Sequence, residues 1–252
     1  MKFKKYSKIA LFSFLTLVLL GCLVFYFKSP EIRNCLLISL SDNFNEPENN
    51  LYVSKDTPKV LQDSIISLIK LADQRVCRFW NIGKREGDPI IIFCYSKDEL
   101  SNYTRTNAIL TYRTPINDYI VFGRDRINLD MISHELFHTE LSAKTGYFKI
   151  VNDIPVWFDE GLAMQVDYRP EFSEEKFLQV KDSLGYTMEL AQISTPNLFY
   201  KDNFYFHFLQ SRHEVDSWLK IAKLNGLYHL VDRIKNGGNF NHVYNELKNK
   251  TN

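Results

Sequence analysis

Apolar residues in the first half of the chain follow two different spacings. Over residues 58–80 they recur every three to four positions, which predicts a helix with one buried face. Residues 51–54, 89–95 and 118–122 are short apolar runs rich in β-branched and aromatic side chains, which is typical of strands. The first half therefore predicts a small sheet together with one long helix.

The second half of the chain has helical spacing almost throughout. One helix is predicted to begin at Asn128 or Leu129 and to end before Gly146, which suits a left-handed C-terminal cap. A second helix is predicted over residues 153–166, and helical spacing continues over residues 171–247. Together these patterns predict one α+β domain over residues 51–252, with the sheet packed on the first of these helices and a helical C-terminal half.

The N-terminal residues have a different character. Residues 9–27 are uncharged and mostly apolar, and as a helix they would extend about 28 Å, close to the thickness of a bilayer core. Four lysines precede this run, so residues 1–28 are predicted to be a cytoplasmic stub and a transmembrane anchor, followed by a polar linker over residues 29–50. A lipoprotein modified at Cys22 and simple secretion are the alternatives. All three place the domain outside the cytoplasm.

Composition excludes some partners and leaves the state of the cysteines open. The chain has 31 Lys and Arg against 30 Asp and Glu, and this balance gives no reason to expect nucleic-acid binding. Outside the cytoplasm a disulfide between Cys77 and Cys94 is expected, with Cys35 left over. Three small buried thiols are an equally good interpretation.

The candidate chemistry begins with His134-Glu135-Leu136-Phe137-His138, an HExxH sequence on a predicted helix. Histidines at i and i+4 lie on one helix face, so both imidazoles can bind one zinc ion. Glu135 can then lie beside the metal as a general base without binding it. A catalytic zinc ion takes three protein ligands, and Glu160 on the next predicted helix is the best candidate for the third.

The string around Glu160 has the pattern Pro155-x-Trp157-x-x-Glu160-Gly161-x-Ala163. With HExxH upstream, it resembles the gluzincin metallopeptidases, in particular small bacterial membrane-anchored or secreted members of the thermolysin-like group. The resemblance implies a thermolysin-like zincin domain that hydrolyses peptide bonds in a peptide or protein substrate. Thermolysin carries an aspartate four residues after its ligand glutamate, where this chain has Met164. Another group must therefore orient a histidine, with Asp130, Asp167 or a backbone carbonyl as candidates.

Gluzincins commonly use a tyrosine or histidine to stabilise the oxyanion that forms during hydrolysis. Tyr205 and His207 occur in an aromatic stretch downstream of the ligands, where such a residue is expected, and Tyr205 is the catalytic candidate. Alternatively, Tyr205 is an aromatic residue that only packs in the core or at its rim. His213, His229 and His242 have no second histidine at metal-binding spacing and are interpreted as surface or core residues.

Three functions fit these features. The first is zinc-dependent peptide hydrolysis with Glu135 as the general base. The second is a non-catalytic binding or regulatory module that keeps the fold and the metal. Hydrolysis of another amide, such as one in cell-wall material, is the third. An intact Glu135 favours an enzyme, because a binding module has no physical need for an acid beside the metal.

Overall fold

A computed structural model describes residues 28–185 and 187–249, together with Thr16 and Gly21. Among these residues no helix is both long enough and apolar enough to cross a membrane, because the two longest helices, Lys59–Trp80 and Phe204–Lys235, carry charged side chains. The transmembrane helix expected from the sequence is therefore not found among the described residues. Apart from Thr16 and Gly21, the segment for which it is expected lies outside the described residues, as does Cys22. Location outside the cytoplasm stays a prediction.

Five strands form one mixed sheet in the order β1-β2-β3-β5-β4. The three inner strands run parallel to one another, and each edge strand runs antiparallel to its neighbour. The bounds of the strands are β1 Phe44–Glu48, β2 Leu51–Ser54, β3 Ile90–Cys94, β4 Leu110–Arg113 and β5 Asp118–Gly123. The sequence predicts all three inner strands but neither edge strand, since β1 and β4 contain polar residues and lack a continuous apolar run.

Helices account for most of the remaining described chain, so the α+β class is confirmed. Their bounds are α1 Pro30–Leu36, α2 Lys59–Trp80, α3 Lys97–Ser101, α4 Leu129–Thr145, α5 Tyr147–Asn152, α6 Val156–Ala163, α7 Glu174–Leu184, α8 Pro196–Phe199, α9 Phe204–Lys235 and α10 Phe240–Lys248. Short 3₁₀ turns lie between some of them. The C-terminal half is helical, as the apolar spacing predicts.

Residues 29–50 are not the polar linker that the sequence suggests. This stretch contains α1 and β1, and β1 pairs with β2. Cys35, Ile38 and Phe44 are buried against one face of the sheet. The polar residues that suggest a linker lie at the edge of the sheet, where one face is solvated and charge is tolerated.

The opposite face of the sheet packs on α2 and α4, and the main core lies between these layers. Phe93 and Phe122 project from β3 and β5, while Trp80 stacks on Phe137 from α4 with ring centroids 5.4 Å apart. Every residue from 132 to 142 of α4 is buried. A helix that is buried all round yet carries histidines and glutamates must supply each polar group with a partner.

Two further features hold α4 and α6 in place. The side-chain oxygen of Asn128 accepts hydrogen bonds from the backbone N–H groups of Asp130 and Met131, so Asn128 caps α4, which begins at Leu129, one of the two predicted positions. On α6, a Cβ atom added at Gly161 would lie 2.4 Å from the carbonyl oxygen of Ser211. Only glycine therefore lets α6 approach α9 this closely, and this contact presents the far side of α6 to α4.

The described cysteines do not form the expected disulfide. Cys35, Cys77 and Cys94 are all buried free thiols. Cys94 faces the α1 side of the sheet, whereas the sulfur of Cys77 lies 3.7 Å from a carboxylate oxygen of Asp73. The expected Cys77–Cys94 disulfide is therefore wrong, because the two side chains belong to different packing layers.

Candidate metal centre

His134, His138 and Glu160 form one buried group that could hold a metal ion. Their side-chain atoms form a small triangle. His134 Nε2 lies 3.0 Å from His138 Nε2 and 3.1 Å from Glu160 Oε2, and His138 Nε2 lies 3.4 Å from the same oxygen. The two histidines come from one face of α4, and α6 delivers the glutamate from 26 residues away.

The triangle fits the requirements of a zinc ion. Two ligands of a tetrahedral zinc ion lie about 3.3 Å apart when the bonds to nitrogen and oxygen are about 2.0–2.1 Å long. A point about 2 Å from all three ligand atoms therefore exists beside the triangle. Burial acts to raise the pKa of Glu160, but His138 and His134 outweigh it and hold that pKa well below its usual range. Glu160 is thus ionised, as a ligand must be.

His138 is oriented by a buried chain of charges that reaches the sheet. Its Nδ1 lies 2.8 Å from Asp159 Oδ1, and Arg113 of β4 donates to both oxygens of Asp159 at 2.8 and 3.1 Å. Burial opposes ionisation of Asp159, but Arg113 and His138 more than offset it, so its pKa is lowered. A carboxylate on Nδ1 directs Nε2 of His138 at the metal position. Neither Asp159 nor Arg113 was predicted from the sequence, although Asp159 directly precedes the candidate ligand Glu160.

His134 has a looser partner. Its Nδ1 is buried without a hydrogen bond, and the nearest carboxylate oxygen, from Asp167, lies 3.7 Å away. Arg169 holds Asp167 through a hydrogen bond of 2.9 Å. Of the three candidates for an orienting group, Asp167 is therefore the one beside a histidine, whereas Asp130 pairs with Arg75.

Glu135 lies on α4 beside the two histidines, and its carboxylate is bound from the sheet. Thr111 of β4 donates a hydrogen bond of 2.6 Å to Glu135 Oε2. The side chain is 8% exposed, and this burial raises the pKa of Glu135. A carboxylate with a raised pKa beside a metal position has the property that a general base needs.

Tyr200, which follows α8, is the tyrosine that reaches the group. Its hydroxyl donates to Glu160 Oε1, and burial together with Glu160 raises the pKa of Tyr200. Tyr205 is placed differently, since its hydroxyl donates to the main-chain carbonyl of Glu171 at 2.5 Å. His207 is also away from the group. Its Nδ1 donates to the carbonyl of Phe199 at 2.6 Å and so holds the residue before Tyr200.

The remaining histidines behave as expected from their spacing. His213 contacts Glu174 at 2.8 Å and stacks on Phe177, outside the metal-binding group. Neither His229 nor His242 belongs to a metal-binding group among the described residues.

Comparisons of this chain with protein-family models, with curated proteins and with solved structures found no match. The candidate metal centre itself is therefore the guide to the function of this protein.

Proposed function

We propose that this protein is a zinc-dependent hydrolase of peptide amide bonds, of the gluzincin type that its motifs resemble. One observation supports this above all others. The carboxylate of Glu135 is held by Thr111 and interacts electrostatically with both histidines, while a different carboxylate, from Glu160, completes the ligand triangle. A site that only stores a metal has no use for the second buried acid.

His134, His138 and Glu160 would hold the zinc ion. When bound, zinc lowers the pKa of water towards about 7 and polarises a carbonyl group. Glu135 accepts the proton from the attacking water and delivers it to the leaving nitrogen. Tyr200, once its single hydroxyl proton turns from Glu160 Oε1, is the donor best placed to stabilise the negative charge that develops on the carbonyl oxygen.

The substrate would lie along β4. This strand is at the edge of the sheet, so its outer N–H and C=O groups are not paired within the sheet. An extended peptide can add to such an edge by main-chain hydrogen bonds. Thr111 projects from the same strand towards Glu135, so a peptide bound there passes the general base. This favours a peptide over another amide.

The test compares metal content with hydrolysis in variants of the full chain. Glu135→Gln is expected to retain zinc, because the amide is nearly isosteric, and to lose hydrolysis of a peptide mixture by about 10²–10⁴-fold. Glu160→Ala is expected to lose the metal itself, since two ligands hold zinc poorly. Glu175→Gln, on the exposed face of α7, is the matched control and should change neither.

The two variants separate the possible outcomes. Hydrolysis by Glu135→Gln at the wild-type rate would exclude the proposed mechanism. Full zinc occupancy in Glu160→Ala would show that the third ligand is another residue. A protein that binds zinc but cleaves no peptide would be a binding or regulatory module.

A further inference from the structure

A second cavity, separate from the metal-binding triangle, lies where two parallel strands end. It has a volume of about 190 Å³ and opens at the carboxyl ends of β3 and β5. Leu100 and Gly123 contribute apolar surface to its lining, and Arg124, Asp125, Arg126 and Lys97 are the charged residues that line it. Ligands of sheets with parallel strands commonly bind at this end of the strands.

The charges around the cavity do not cancel. Lys97 pairs with Asp125 at 3.4 Å. Arg124 and Arg126, on either side of Asp125, form no ion pair within the described chain. Both are exposed. The cavity therefore presents two uncompensated guanidinium groups to solvent.

Each arginine is positioned by one neutral contact and keeps donors for a ligand. Arg124 Nη1 donates to the hydroxyl of Tyr95 at 3.3 Å, with its guanidinium 5.4 Å from the ring centroid. Arg126 Nε donates to the carbonyl oxygen of Asn107 at 3.0 Å. Among the described residues the two terminal nitrogens of Arg126 have no partner, so they can bind a carboxylate as a fork.

The cavity is within reach of a peptide at the metal centre. Asn107, on its rim, is four residues before Thr111, which binds Glu135. Four extended residues span at most about 14 Å. A peptide lying along β4 with one bond at the metal centre can thus reach the cavity with a residue no more than about four positions from that bond.

We propose that Arg124 and Arg126 bind a carboxylate of the substrate, two to four residues from the bond that is cleaved. The preferred substrates are then peptides that are acidic at that distance from the cleavage point. The carboxylate can come from a Glu or Asp side chain or from the end of the peptide. This inference rests on the proposed function for its substrate, but its first test does not require hydrolysis.

That test measures binding to the zinc-loaded full chain carrying Glu135→Gln. The probes are fluorescein-labelled ten-residue peptides that differ only in Glu or Gln at positions two to four on one side of the central bond. The Glu peptides are expected to bind about tenfold more tightly, with an advantage that shrinks as salt is added. Adding Arg124→Gln and Arg126→Gln together should remove the advantage. Arg78→Gln, an exposed arginine outside the cavity, should keep it.

The second test uses wild-type protein and the same peptides as substrates. The ratio of kcat/KM for Glu over Gln peptides should be about tenfold, and Arg126→Glu should shift the preference towards Lys. Peptides acidic on the N-terminal or the C-terminal side of the bond, with free or amidated ends, identify which carboxylate is bound.

The outcomes separate the two proposals. Equal binding of Glu and Gln peptides, together with equal binding of peptides that have free and amidated C-terminal ends, overturns the carboxylate site, whether or not hydrolysis occurs. An arginine-dependent preference in binding without any cleavage supports the site and overturns the proposed function. Cleavage with no preference for acidic peptides supports the proposed function and overturns the carboxylate site.

Discussion

The metal centre has two sides that are built differently. On the sheet side, Thr111 of β4 donates a hydrogen bond of 2.6 Å to Glu135, and Arg113 of β4 forms an ion pair of 2.8 Å with Asp159. On the helical side, Asp167 stays 3.7 Å from His134, and Tyr200 buries its hydroxyl against Glu160 although the residue as a whole is 53% exposed. On the sheet side both partners come from one strand, whereas on the helical side Tyr200 binds Glu160 from a separate segment and His134 Nδ1 has no hydrogen-bond partner.

This difference has a physical origin. Thr111 and Arg113 are two residues apart on one strand, so both face α4, and the pairing of β4 with β5 fixes their positions. Asp167 and Tyr200 follow the ends of short helices, and no ladder of hydrogen bonds holds those segments. We infer that the sheet side orients the base and one ligand in advance, and that the helical side adjusts when metal and substrate bind.

The largest effect is expected on the helical side. Tyr200→Phe should lower kcat by about 10²-fold without loss of zinc, because an oxyanion would lose its donor. Tyr205→Phe is the matched control, since its hydroxyl bonds a main-chain carbonyl, and its activity should stay near that of the wild type. Steady-state kinetics and metal analysis measure both. If Tyr205→Phe is the slower enzyme, the assignment from the structure is reversed.

The next largest effect is expected on zinc affinity, when the two carboxylates beside the histidines are replaced. Asp159→Asn should weaken zinc binding by about 10–100-fold, as is usual when an orienting carboxylate is lost. Asp167→Asn should weaken it less, because His134 Nδ1 is not hydrogen-bonded to that residue. Competition with a chromophoric chelator gives both affinities. Equal losses would show that the helical side closes fully on the metal.

A smaller effect is expected for the partner of the base. Thr111→Val removes the hydrogen bond to Glu135 and should lower kcat by about tenfold at unchanged zinc content. Thr111→Ser keeps a hydroxyl and should recover most of the activity. A loss of zinc in Thr111→Val would mean that β4 supports the ligands as well as the base.

The smallest effect concerns stability on the helical side, away from the metal. Lys223 interrupts α9 with φ 59° and ψ 179°, a conformation that side chains other than glycine rarely adopt. Lys223→Gly should therefore raise the free energy of unfolding by about 1 kcal/mol, measured from urea midpoints. Asn81→Gly, at the end of α2, is the control. Asn81 has φ 52°, which asparagine tolerates, so its gain should be only a few tenths of a kcal/mol.

Much of the fold could be predicted because it depends on local patterns. The bounds of α2 and α4 follow from apolar spacing, from Asn128 and from Gly146, and the inner strands follow from continuous apolar runs. The edge strands could not be predicted in this way. Leu110–Arg113 has only four residues of mixed polarity, and it becomes a strand only because β5 lies beside it.

The three residues of the metal-binding triangle could be predicted without a structure. His134 and His138 share a helix face because of their spacing, and Glu160 is the acid on the next predicted helix. Most of the residues that surround these three could not be predicted, because they come from distant parts of the chain. Thr111 meets Glu135 across 24 residues, Tyr200 meets Glu160 across 40 and Arg113 meets Asp159 across 46. Spacing along a chain determines which side chains share one helix or strand, but contacts between elements depend on how those elements pack.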